Sequence, residues 1–92
     1  MSPGPNRRCA LATYLDIHDL PGVKAGDVVA AHEADVRVGK IHGVDYRHYW
    51  VDEETGKVFC LVDAPDRESA IRVHREAHGL EASILHEVVQ GA

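Results

Sequence analysis

The chain has 92 residues, enough for one domain with a small core. Hydrophobic residues make up 45% and the formal net charge is −5, which excludes a disordered tail and argues against a nucleic-acid partner, whose phosphates call for a basic face. No apolar run approaches the roughly 20 residues of a membrane helix, and Asp16 breaks the apolar stretch after Arg7 and Arg8 too early for a signal-peptide core, so a cytoplasmic protein without a membrane partner is expected.

Residues 1–10 open with "MSPGPNRR", prolines and a glycine among polar groups, and are expected to form a flexible tail; residues 11–92 are expected to form a single domain. "LATYLDIHDL" (Leu11 to Leu20) alternates as a strand does. Its apolar parity, Leu11, Thr13, Leu15 and Ile17, is taken to face the helices, with Tyr14, Asp16 and His18 on the opposite side. Pro21-Gly22 ends it. Ala25 to Lys40 reads as a helix, with Val28, Val29, His32 and Val36 at helical spacing and stop signals in "GKIHG".

"VDYRHYWVD" (Val44 to Asp52) is rich in strand formers, "EETG" supplies a turn, and "KVFCLVDAP" (Lys57 to Pro65) is a second strand, so the pair reads as a hairpin. The second strand is apolar at both parities: Val58, Cys60 and Val62 on one face, Phe59 and Leu61 on the other. A second helix follows, with Asp66 as N-cap, Ala70, Val73, His74 and Ala77 as inner stripe, and Gly79 as stop. "LEASILHEVV" is a last strand. The order β-α-β-β-α-β is that of a ferredoxin-like α+β sandwich, one four-stranded antiparallel sheet with two helices on a single face. Apolar positions on the other face would leave a patch that monomers rarely tolerate, so a homodimer through the open sheet face is expected.

Histidine is the unusual residue: seven, against one Phe, one Trp and three Tyr. His74 and His78 stand four apart in "VHREAHG", so both rings can reach one point from a helix face. The HExxH zinc motif is absent, and two readings stand: metal ligands, or a packing and solvent-facing pair. His32, on the inner stripe of the first helix, can join them or serve as a core histidine bonded to a carbonyl. Asp16 and His18 share a strand face, either as a solvated stretch or as a metal or proton-transfer site. His48 lies with Tyr46 and Trp50 in an aromatic stripe read as packing, and Cys60 reads as a small buried hydrophobe. No phosphate loop, GxSxG or dinucleotide fingerprint is present.

"YLDIH", "AHEADV", "YWVDEETGKVFCLVDAP" and "VHREAHGL", in that order, resemble the small ferredoxin-like nickel-binding proteins common in actinobacteria. The resemblance covers nearly the whole chain after residue 10. It implies the ferredoxin-like fold, dimers and a nickel ion as ligand. By position it carries the family's histidines onto His18, His32, His74 and His78. His48 stands where members often have arginine, and Arg47 where an apolar residue is expected. Zinc, cobalt and copper share the same ligand preferences, so the residues alone do not separate them from nickel.

The expected function is thus a small metal-binding protein that sequesters or senses nickel through His18, His32, His74, His78 and Asp16. Two other classes compete with it. A small enzyme of the dimeric α/β-barrel type would use Asp16 or His18 as base; a closed apolar cavity beside them would favour it, and a filled core with exposed histidines would count against it. An interaction module would have no ligand at its histidines, and its partner binding would ignore chelators.

Overall fold

The computed structural model describes residues 11–91; the tail expected at residues 1–10, with Cys9, lies outside the described residues. The elements are β1 (Ala12–Asp19), α1 (Ala25–His42), β2 (Asp45–Asp52), β3 (Lys57–Ala64), α2 (Arg67–Ala77) and β4 (Ile84–Val88). The strands form one antiparallel sheet in the order β2-β3-β1-β4. Two helices cover one face of it, which is the ferredoxin-like arrangement. No helix among the described residues is long and apolar enough to cross a membrane.

Local chemistry explains most boundaries. Asp66 caps α2 by accepting from the Ser69 amide at 2.8 Å, and Gly79 follows the helix at φ 80°. The start of α1 is held from outside: the turn residue Glu53 accepts from the Ala25 amide at 2.8 Å, satisfying one orphan N–H. The helix passes Gly39, where the sequence suggested a stop, and ends at His42 before Gly43 at φ 69°. Gly39 serves packing instead. A Cβ there would lie 2.5 Å from the Val44 carbonyl oxygen, so only glycine admits the chain at that point.

The parity of β1 is the reverse of the expected one. Tyr14, Asp16 and His18 are buried under the helices, while Leu15 and Ile17 point to the open face and are only half-buried. Register is the cause. Asp16 pairs with Cys60, His18 with Val58 and Tyr14 with Val62, and these β3 residues belong to the core. A strand apolar on one parity and polar on the other can present either set inward, and here the polar set finds partners there.

A second departure explains Arg47. In β2, Tyr46 pairs with Val62 and His48 with Leu61, so Arg47 is an extra residue, a β-bulge. It is turned out of the ladder, with its guanidinium 3.4 Å from Asp63. The bulge also breaks the expected aromatic stripe. Tyr46 goes into the core at 2% exposure, whereas Trp50, beyond the bulge, is 53% exposed.

The core is Tyr14, Val23, Val28, Val44, Tyr46, Val58, Cys60, Val62, Ala64, Ala70 and Val73. On the opposite sheet face Phe59 and Leu61 are half-buried in the single chain, and Ile84 is exposed. The last strand is shorter than expected. The chain from Leu80 reaches the sheet as a connection, through the Ser83 amide on the Ile17 carbonyl at 2.9 Å.

Candidate metal centre

His74, on α2, is the hub of a buried polar cluster. Its Nδ1 lies 2.9 Å from Asp35 Oδ1 on α1, and its Nε2 lies 2.8 Å from Asp16 Oδ2 on β1. All three side chains are almost fully buried. Two carboxylates need donors here, so the ring donates at both nitrogens and carries a positive charge. Burial alone would lower its pKa, but the hydrogen bonds to Asp16 and Asp35 outweigh burial and hold it up to about 9. Burial likewise works against the Asp16 carboxylate, and the neighbouring His18 and His74 rings outweigh it and hold its pKa down to about 2.

His18 completes the inner side. Its Nε2 stands 3.2 Å from both Asp16 Oδ1 and His74 Nε2. The protonated His74 Nε2 faces that nitrogen, so His18 Nε2 accepts in the contact between the two rings. Its approach to Asp16 Oδ1 is poorly directed, and that oxygen has no well-formed partner. Tyr46 closes the floor, donating to the Ala70 carbonyl at 2.9 Å with its ring against His74. Cys60 joins the same group. Burial, then the nearby Asp16 charge, pushes its thiol pKa up, so without a metal it is a neutral thiol.

His78 caps the end of α2 and is half-buried. The Leu80 amide donates to its Nδ1 at 3.0 Å, which places the ring proton on Nε2. That Nε2 lies 3.0 Å from Asp35 Oδ1 but is not directed at it as a hydrogen bond, and it too is left without a partner.

Two potential ligand groups result. Asp16, His18, Cys60 and His74 offer atoms within 4.8 Å of one another, and Asp35, His74 and His78 do the same on the far side of the shared ring. The donor set fits a divalent cation of the imidazole- and carboxylate-binding kind, and the unpartnered Asp16 Oδ1 is a place where a cation would complete a buried polar atom.

The family described as "Nickel responsive protein SCO4226-like" matches residues 14–88. The chain belongs to that family. Among solved structures, the crystal structure of SCO4226 from Streptomyces coelicolor A3(2) is similar, with a TM-score of 0.81 and 34% identity, over 88% of this chain and 100% of that one. No curated protein matches the chain. The resemblance read from the four sequence stretches therefore holds, and so does the fold it implied.

The site residues read from the sequence fall out unevenly. Asp16, His18, His74 and His78 come together. His32 does not join either group; its ring packs on Tyr49 of β2, with centroids 4.7 Å apart. The acid missed by sequence reasoning is Asp35, three residues on. The buried stripe of α1 is Val28, Asp35 and Gly39, so an acid seven residues after a core valine was the available signal. Cys60, read as a plain hydrophobe, is buried but belongs to the polar group.

Above the cluster lies a cavity of about 110 Å³. Leu20, Val23, Val28, Ala31, Val58 and Leu80 supply apolar wall, and His18, His74 and His78 also line it.

Proposed function

We propose that this protein binds nickel, and that it sequesters or senses the ion. The observation that carries the reading is the convergence of Asp16, His18 and His74 within a chain of the nickel-responsive family. These three would hold the ion, with the Cys60 thiol beside them. His78 and Asp35 offer a second position across the His74 ring. Nickel(II) accepts imidazole nitrogen and carboxylate oxygen, as do zinc, cobalt and copper, and the general affinity order places copper above nickel. The choice of nickel rests on the family.

The same reading takes the protein as a cytoplasmic homodimer joined through the open sheet face. That face carries Leu15, Ile17, Phe59, Leu61, Trp50 and Ile84 with no helix over them, and a contiguous apolar face favours burial against a partner. A buried free Cys60 thiol suits a reducing compartment.

Calorimetric titration of chelator-treated protein with nickel tests the proposal. Saturable binding is expected, and lost in Asp16→Asn and His18→Ala. Silent titrations with nickel, zinc and copper would sink it.

A further inference from the structure

The side chains gathered around His74 lie deep: Asp16, His18, Cys60 and His74 are all buried, Cys60 the least so at 5% exposure. A cation taken up from water needs a way to them. Most sides are closed. The central strand β1 lies beneath with β3 and β4 on either side, Tyr46 fills the floor, and α2 is the helix that carries His74. The remaining side is the cavity of about 110 Å³. Inward it reaches His18, Cys60 and His74; outward it ends at Asp27 and Leu80, both exposed.

We propose that this cavity is the entrance to the metal centre: it admits a divalent cation as a partly hydrated ion, drawn in at Asp27, and keeps out the same cation held in an anionic organic chelate. The inference rests on the nickel-binding reading of the cluster.

Size comes first. A cavity of about 10–15 Å³ holds one water, so one of about 110 Å³ holds an ion with several of its waters. Those waters matter, because a bare cation against Leu20, Val23, Val28, Val58 and Leu80 would lose its hydration for nothing. They can be given up at the inner end, where the polar side chains line the wall. A benzene ring already needs an apolar cavity of about 150 Å³, and a citrate complex is larger. Charge comes next. Asp27 stands at the mouth, and Glu53, accepting from the Ala25 amide at 2.8 Å, sets a second carboxylate at the same end of α1, against the one ammonium of Lys24. The surplus attracts a cation and repels an anionic complex.

Stopped-flow mixing of chelator-treated protein with nickel, read by a metal indicator, gives the loading rate. Excess EDTA gives the release rate, and calorimetry gives the affinity. Ala31→Leu fills the cavity from α1 without replacing a cluster residue; loading and release should both slow about tenfold, with affinity kept within about threefold. Leu80→Trp narrows the mouth from an exposed position and should slow both rates as well. Ala30→Leu, exposed on the same helix and outside the cavity, should leave them as they are. Asp27→Asn should slow loading about threefold at low salt and not at high salt. With citrate added, loading should follow the free ion alone. Parental rates at parental affinity in folded Ala31→Leu and Leu80→Trp overturn the entrance and leave the nickel reading intact. Loading that follows total nickel in citrate overturns the exclusion of chelates, and parental loading by Asp27→Asn at low salt overturns the role of that carboxylate. A parent protein that binds no nickel overturns the entrance together with the reading beneath it.

Discussion

His74 Nε2 and Asp16 Oδ2 lie 2.8 Å apart although 58 residues separate them in the chain. The contact joins α2 to the central strand β1, and Asp35 Oδ1 on the ring's other nitrogen joins α1 to both. One imidazole thus ties three elements together in the interior. Burying three charges is costly unless each is paired, and this geometry pairs them.

Removing the ring should therefore be severe. His74→Ala leaves the Asp16 and Asp35 carboxylates buried without their shared donor, and a loss of about 3–5 kcal/mol is expected. Urea unfolding of the metal-free variant measures it. Part of the loss should return on acidification, which neutralises the stranded carboxylates. A variant as stable as the parent at pH 7 would mean that the cluster is solvated in solution.

Proton linkage limits apo stability on both sides. Asp16, with its pKa held down to about 2, contributes stability above its unfolded value near ~3.9, and that contribution disappears as pH falls through about 2. His74, held up to about 9, contributes in full below its unfolded value near ~6.5, and the contribution disappears as pH rises through about 9. From these two groups, chelator-treated protein should be most stable between about pH 4 and 6.5, as urea midpoints across pH would show. Nickel affinity should run the other way. The ion must displace the His74 proton, so affinity should keep climbing from about pH 6 to pH 9, well above the range of free imidazole. A flat affinity profile would count against His74 as a ligand.

Histidines outside the cluster should behave differently. His32→Ala removes the contact with Tyr49, and a loss of about 0.5–1.5 kcal/mol is expected with nickel affinity unchanged. His86→Ala, on the edge strand across from Leu15, should leave nickel affinity unchanged. Weakened nickel binding in His32→Ala at normal stability would restore it to the ligand set.

The open sheet face has its own test. Leu61 lies at the centre of that face, on β3, opposite Leu15 and His48. Leu61→Lys should convert the dimer to a monomer with the fold intact, read by light scattering coupled to size exclusion. A wild-type protein that is monomeric at micromolar concentration would remove the dimer from the proposal.

Much of the fold was legible because its signals are local. Asp66 announces α2, and the two runs either side of "EETG" announce the hairpin, whatever the rest of the chain does. The β1 parity was not legible. Alternation gives two faces without saying which is inside, and the usual rule fails where a polar site replaces core. The bulge at Arg47 was invisible for another reason: one extra residue changes no composition, yet it redirects every side chain on one side of it. In the site, spacing found His74 and His78. Asp35 escaped because an acid on a helix normally reads as solvent-facing, and only the tertiary partner across the interface makes it an interior residue.

Because the cluster draws on β1, α1 and α2, its parts emerge from the ribosome at different times. Asp35 precedes His74 by 39 residues and Asp16 precedes it by 58, so at roughly 5–20 residues per second the acids wait about 2–12 seconds for the ring that neutralises them. Until α2 is made, the chain holds no His74 ring to pair with the Asp16 carboxylate. The burial of the polar parity of β1 is completed by a helix made long after the strand.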